Sequence, residues 1–383
     1  MSTTGLPVLN PEVSIERTEL AYWLALLRAP GIGPARFSRL LVHFGSPEAA
    51  LAAERGAWAA LNLPDAALDY LSAPDWRRVD QDLLWLEKPG NSLISLHDPD
   101  YPPLLKQIDT PPPLLFVHGR RECLHYPQIA IVGTRHPTTS GRENARRFAA
   151  HLAGAGFTIT SGMALGVDAE AHQGALQDKG FTVAVLGTGV DRVYPAQHRK
   201  LAHAIAEHGA LVSELPPTTP PLAEHFPRRN RILSGLALGT LVVEAAVRSG
   251  SLITAGLATE QGREVFAIPG SIHNAMAKGC HGLIRQGAKL VETAADILEE
   301  LGALARAAVQ LEDSPVTIAT SAAPDLDAEY QRLLEALGNV PTSVDELVAR
   351  CGLTAETVSS MLLILELQGF VAAAPGGLYS RSP

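Results

Sequence analysis

TLVVEAAVRSGSLITAGLATEQGREVFAIPG, residues 240–270, is the stretch on which the fold turns. It opens on one apolar run, TLVVEA (240–245), and closes on another, EVFAIPG (264–270), with a periodic segment of helical length between them. Two buried strands joined by a helix lie parallel in one sheet. Outward from this unit the same alternation recurs at IAIVG (129–133), FTITSG (157–162), FTVAVLG (181–187), ALVSEL (210–215) and AKLVET (288–293). Repeated strand–helix alternation predicts an α/β fold, with a mainly parallel sheet covered by helices on both faces.

The flanks read differently. Residues 12–90 are expected to be a helical module of helix-hairpin-helix-like or sterile-alpha-motif-like (SAM-like) type: Leu20, Trp23, Leu24 and Leu27 keep a helix period. Then comes APGIGPARFSRLLVHFG (29–45), where Gly31 and Gly33 permit a tight turn and Pro34 suits the first turn of the next helix. Helical patterns continue over 48–61 and 75–86. The core is expected over 91–303, and its opening part, 91–125, is proline-rich and reads as an extended connection lying against the sheet. Residues 304–327 read as a linker. Residues 328–383 read as a winged helix: helices over 328–337, 343–350 and 354–368, a turn at Cys351–Gly352, and two short strands around Pro375–Gly376–Gly377.

Composition excludes several classes. The 383 residues include 46% hydrophobic and 19% charged, which fits neither a disordered tail nor a coiled coil. Thirty-one basic against 40 acidic side chains leave a net charge of −9, so no positive coat surrounds the protein, although a local basic groove remains open to it. Cys123, Cys280 and Cys351 stand far apart, without the spacing of a zinc ribbon or a disulfide framework. The N-terminus lacks the basic start and apolar core of a signal peptide. The uncharged stretch 148–167 holds too many glycines and hydroxyls for a membrane span and reads as helix end, turn and strand. A cytoplasmic location is expected.

In an open parallel sheet, ligands bind outside the carboxyl ends of the strands. Four such ends carry small or hydroxyl residues. They are Gly133 and Thr134 with Arg135; Ser161, Gly162 and Met163; Gly187 with Thr188 and Gly189; and Ser249, Gly250, Ser251 and Thr254. Free N–H groups and helix dipoles there favour anions such as phosphate. A sharper feature is HFPRRNR (225–231), where Phe226 precedes Arg228, Arg229, Asn230 and Arg231, with no acid in the run. Arginine forks grip phosphate and an aromatic face stacks on an unpaired base, a combination suited to single-stranded nucleic acid.

Catalytic constellations are weaker. Asp168 and His172 lie four apart and could pair, or Asp168 could simply fix the loop before it. Glu244 could face a ligand or pair with the arginine cluster. His198, His203 and His208 lack metal-site spacing, and no nucleophile elbow, Walker loop or H-E-x-x-H is present.

Together, IVGTR, SGMALGVDAEAHQGAL, VYP, FPRRNRILSGL, VVEAAVRSGSLITAGLATEQGREVFAIPG and GCHGLIRQGAKLV resemble the DNA-processing protein A family, called DprA or Smf. The resemblance implies an extended Rossmann core and a binding protein rather than an enzyme, with no cofactor, metal or catalytic residue. It implies a recombination mediator that protects incoming single-stranded DNA and loads RecA during natural transformation. Carried over by motif, the DNA pocket comprises Gly133, Thr134, Arg135, Phe226, Arg228, Arg231, Ser249, Gly250 and Ser251. A homodimer surface in the C-terminal part of the core includes His281, Ile284 and Leu290, and RecA contact falls around Thr259, Gln261 and Arg285. Ala223 and Gln261 stand where some family members carry lysine.

Two rival readings are a nucleotide-processing hydrolase on a similar sheet and a duplex-DNA regulator. The hydrolases carry PGGxGT where this chain has PGSIHN (269–274). The would-be recognition helix of the winged module carries Glu356 and Glu366 without lysine or arginine, so that module is expected to contact protein or be auxiliary.

Overall fold

The computed structural model describes residues 11–177 and 179–302, and farther on 332–333, 336–337, 342–354, 357–358, 361–362, 365, 371–374 and 378–381. The chain divides into two compact units, Met1–Asp313 and Ser314–Pro383.

The first unit begins with six helices: α1 Pro11–Leu27, α2 Pro34–Phe44, α3 Pro47–Ala52, α4 Arg55–Ala60, α5 Asp65–Ser72 and α6 Trp76–Leu86. Gly31 has φ 76°, a left-handed conformation that favours glycine, and Pro34 opens α2 as expected. The pattern over 48–61 is not one helix. Ala53 and Glu54 are extended and split it into α3 and α4. These helices share a core with the sheet rather than enclosing one of their own. Trp23, Leu24, Phe37 and Leu40 are buried together with Phe116, Leu186, Ile205 and Leu211 of the later fold. Trp23 stacks on Phe37 at 5.4 Å, and Trp85 meets Phe116 edge-on at 5.9 Å. Beside this core Arg28 donates two hydrogen bonds of 2.6 Å to the buried Asp82 carboxylate.

The sheet has nine strands: β1 Asn91–Ser95, β2 Leu114–Gly119, β3 Gln128–Val132, β4 Thr158–Ser161, β5 Thr182–Val185, β6 Gly209–Ser213, β7 Gly239–Val242, β8 Glu264–Ala267 and β9 Lys289–Leu290. Their order is β1-β2-β6-β5-β4-β3-β7-β8-β9. The seven strands from β6 to β9 in that order are parallel and correspond to the seven apolar runs. The proline-rich segment does more than lie alongside. It forms β1 and β2, an antiparallel pair with Ile94 opposite Leu115, which extends the sheet by pairing β2 antiparallel to β6. A short helix, α7 Pro103–Lys106, connects them.

The remaining helices are α8 Thr139–Gly154, α9 Val167–Gln177, α10 Arg199–His208, α11 His225–Leu236, α12 Gly250–Glu260 and α13 Lys278–Arg285, followed by a helix over 294–302. Strand side chains alternate between faces. Ile129, Ile131 and Leu241 pack with Phe148 and Leu152 of α8 and Ala171 of α9. Val132, Val185 and Val242 pack with Leu233 and Leu236 of α11 and Ala255 of α12. Among the described residues no helix is long and apolar enough to cross a membrane.

His172 on α9 is fully buried and does not pair with Asp168. The Thr182 hydroxyl donates to the Ile159 carbonyl, so His172 Nδ1–H donates to Thr182 Oγ1 at 2.7 Å. Its Nε2 is buried without a partner, and burial pushes the imidazole down to about 3 from 6.5. Below pH 6.5 the unfolded chain therefore takes up a proton that the native imidazole refuses, and stability falls as pH falls. The slope from this one group approaches about 1.4 kcal/mol per pH unit once the unfolded imidazole is fully protonated, and the loss between pH 6.5 and pH 5 sums to about 1.6 kcal/mol. Urea unfolding across that range measures it. His172→Asn, whose amide can replace the Nδ1 donor without titrating, should flatten the slope by that amount.

The second unit is a winged helix in its described parts. Strands β10 Thr342–Ser343, β11 Val371–Ala374 and β12 Leu378–Arg381 form an antiparallel sheet in the order β10-β12-β11. A helix over Val344–Cys351 ends on Gly352 in the left-handed conformation, the expected turn. Leu333, Leu347, Val358, Leu362, Leu365 and Val371 form its core. Glu356, Glu366, the turn Pro375–Gly377 and the linker 304–327 lie outside the described residues.

Candidate nucleic-acid interface

From β3 the chain winds through β4, β5 and β6 to one side, then restarts at β7 on the other. The carboxyl ends of β3 and β7 therefore part at a topological switch point, the position where such sheets hold ligands. A crevice of about 700 Å³ opens there. Gly133, Thr134 and Arg135 line it after β3, and Ser249, Gly250, Ser251 and Thr254 line it at the start of α12. Phe226, Arg229 and Asn230 enter from α11.

Each loop is held from behind. The Thr134 N–H donates to the Glu244 carbonyl at 2.7 Å, joining the two strand ends. The buried Glu244 carboxylate accepts from the Thr138 N–H at 2.9 Å and the Thr138 hydroxyl at 2.6 Å, which fixes the N-cap of α8. Glu244 thus neither faces a ligand nor pairs with an arginine. Gly166, at φ 79°, lets the β3 loop approach, since a Cβ there would lie 2.5 Å from the Thr134 carbonyl oxygen. Ser249 caps α12 by accepting from the Ser251 N–H. The exposed start of α12 at Gly250 leaves a positive dipole end in the crevice.

The Gly162–Ala164 turn after β4 is tied down by Asp168, which accepts from the Gly162 N–H at 3.1 Å and the Ala164 N–H at 3.2 Å. Asp168 therefore fixes the loop before it. Burial raises its carboxyl, opposed by the charge of Arg229. Met163 has φ 57° and a fully buried side chain, while its carbonyl contacts His198 Nδ1 at 3.0 Å. Ser161 is buried and donates to the Ile131 carbonyl at 2.6 Å. Ser161 and Met163 are thus turned into the protein and do not line the crevice, whereas Arg135 lines it and is exposed.

The three arginines of α11 do not act together. Residues 226, 229 and 230 share one helical face, and 228 and 231 share another. Arg229 is buried and its Nη1 donates to the Gly162 carbonyl at 2.9 Å and to the Val185 carbonyl. Burial pushes its guanidinium down to about 10, so it stays charged near neutral pH. Gly162 is glycine because a Cβ would lie 2.6 Å from Arg229 Nη2. Arg231 pairs with Glu214 at 2.6 Å, and with Arg228 it faces a second cleft beside α2.

Phe226 rests on Gly187, where a Cβ would come within 2.8 Å of its ring. Its other neighbour is Tyr194, with ring centroids 5.6 Å apart and Tyr194 half-exposed. The two rings and Arg135 line a small adjoining hollow of about 70 Å³. Sequence reasoning missed Tyr194; the aromatic before Pro195, after the glycine loop, was its available signal. The residues carried over as partner surface lie elsewhere, around α13. Thr259 and Arg285 line a groove of about 820 Å³, Leu290 is exposed, His281 is within 2.9 Å of the Gly270 carbonyl, and Gln261 donates to the Arg231 carbonyl at 3.1 Å.

These features define a Rossmann-type α/β protein with an anion-ready switch-point crevice, a helical N-terminal region packed on its sheet, and a winged-helix unit. The chain belongs to the family described as DNA recombination-mediator protein A, which matches residues 92–302. A DprA-like N-terminal HHH domain matches residues 17–54, and a DprA winged helix domain matches 317–377. The chain is 46% identical to Protein Smf of Escherichia coli over 80% of its own length and 82% of that protein's. It is 45% identical to DNA processing protein DprA of Streptococcus pneumoniae over 54% of this chain and 73% of that one. The X-ray structure of DprA from Streptococcus pneumoniae superposes with a TM-score of 0.64 at 36% identity, covering 73% of this chain and 97% of that chain. DNA processing protein A of Helicobacter pylori, whose structure concerns its single-stranded DNA binding mode, gives a TM-score of 0.51 at 28% identity, covering 55% and 95%.

Proposed function

We propose that this protein binds single-stranded DNA in the switch-point crevice, protects it, and hands it to RecA during natural transformation. The observation that carries the reading is the crevice mouth, where Phe226 and Tyr194 offer ring faces beside the exposed Arg135 and the open start of α12. Ring faces suit unpaired bases, while the guanidinium and backbone N–H groups suit phosphates. A duplex hides its base faces in the stack, so this arrangement favours a single strand. The single-stranded DNA bound by the Helicobacter pylori relative supports the same ligand.

The partner surfaces are proposed around α13. The exposed Leu290, with Ile284 and His281 of α13, suits a second copy of the chain, and the groove lined by Thr259 and Arg285 suits RecA, with Gln261 following α12 outside that lining. A gel shift with single- and double-stranded DNA of equal length tests the main reading, with RecA added in a second arm. The single strand should shift at lower protein concentration and RecA should load on it faster. Preference for duplex would overturn the reading, and an unchanged RecA rate would remove the handover.

A further inference from the structure

We propose that the cleft between α2 and α11 is a second phosphate-binding site, which grips the backbone of a DNA strand as it leaves the switch-point crevice. The cleft measures about 550 Å³, and four arginines line it: Arg36 and Arg39 from α2, and Arg228 and Arg231 from α11. Gly33, Pro34, Ala35 and Thr110 complete the lining. The Arg228 side chain reaches across the cleft to the start of α2, since a Cβ on Gly33 would lie 3.2 Å from its Nη2.

The charge in this cleft is poorly balanced. One carboxylate answers the cluster: Glu214, on Arg231 at 2.6 Å. Arg36, Arg39 and Arg228 have no carboxylate within ion-pair distance among the described residues. Arg36 donates to the Gly31 carbonyl, which holds it in place without neutralising it. Arg231 Nη1 is buried with no hydrogen-bond partner. Three uncompensated guanidinium groups therefore converge on one cavity in a chain whose net charge is −9. Like charges lining one cleft favour an anion between them, and the planar fork of arginine fits phosphate oxygens two at a time.

The lining contains no aromatic ring, so the cleft offers no stacking face and suits backbone phosphates rather than bases. Its position fits a continuing strand. Phe226 and Asn230 face the crevice from one side of α11, and Arg228 and Arg231 face the cleft from another. Passing between the two sites means crossing one helix, a distance of about 10 Å. The inference takes the ligand's identity from the single-strand reading above, while its charge chemistry stands without it.

Two arms test it on the full chain. In the first, a long oligothymidylate is titrated by fluorescence anisotropy over a salt series. Each phosphate that a protein neutralises on a single strand adds about 0.7 to the log–log salt slope, so the Arg36→Ala/Arg39→Ala variant should lower that slope by about 1.4. Arg228→Glu, on the opposite wall and exposed, should lower it as well. Unchanged slopes in both variants would overturn the proposal. In the second arm, inorganic tripolyphosphate is added in a thermal-shift assay. It should stabilise the parent protein and Arg135→Ala, and Arg36→Ala/Arg39→Ala should lose part of that shift. A full shift in the double variant would overturn the cleft as a phosphate site. If the parent binds no oligothymidylate, the single-strand reading fails, and the tripolyphosphate arm alone decides the cleft.

Discussion

Replacing Arg229 by alanine destabilises the protein by about 3–5 kcal/mol, the range for breaking a buried charge interaction by removing one partner. The expectation rests on what the guanidinium holds. It donates to the carbonyls of Gly162 and Val185, at the ends of β4 and β5, and both acceptors lose that donor on truncation. The neighbouring Asp168 carboxylate, already raised by burial, loses the charge that most offsets that burial. Urea unfolding should show a lower midpoint at an unchanged slope, because the surface exposed on unfolding barely changes. Gly162→Ala should act on the same joint from the other side, since its Cβ at 2.6 Å from Nη2 must displace the guanidinium. A loss below about 1 kcal/mol in Arg229→Ala would mean that water serves those carbonyls instead.

That outcome bears on how far chemistry could be read from the residues. The seven parallel strands were legible because each lies in an apolar run, and all but β9 bury most of that run within the sheet. β1 and β2 were not, because both lie in a proline-rich segment. Antiparallel edge pairing also leaves little local signal: NSLIS differs little from an extended connection. The N-terminal helices were legible one by one, yet nothing local says that Trp23 and Phe116 share a core.

In the site, the arginine cluster was visible as composition and not as direction. Three cations in four positions read as one basic patch. At 3.6 residues per turn they part, with Arg229 turning inward and Arg228 and Arg231 turning to another cleft. The helical period was available from the sequence, but which face of α11 meets the sheet was not. That face is set by Leu233 and Leu236 packing on the strands. Glu244 shows the same limit. Its carboxylate serves Thr138, 106 positions earlier in the chain, a partner no local pattern suggests.

The largest expected loss of DNA affinity follows from the crevice mouth. Phe226→Leu keeps an apolar side chain packed on Gly187 and removes the ring face, so it should cost about 1–3 kcal/mol in binding a single strand. Arg135→Ala removes an exposed guanidinium and should cost about 1.5–3 kcal/mol, the range for hydrogen bonds to charged groups. The double variant should lose about 3–5 kcal/mol, roughly 100-fold to 4,000-fold in Kd. The two side chains line the same small hollow, so their effects should couple rather than simply add. Salt separates their roles. Arg135→Ala should lower the log–log slope by about 0.7, while Phe226→Leu should leave it unchanged, because stacking releases no counterions. Anisotropy titrations of the four proteins over one salt series give both quantities. If Phe226→Leu changes the slope as Arg135→Ala does, the ring acts by positioning a cation. If it changes neither slope nor affinity, the bases of the bound strand do not stack at the crevice mouth, and the phosphate contacts alone hold it.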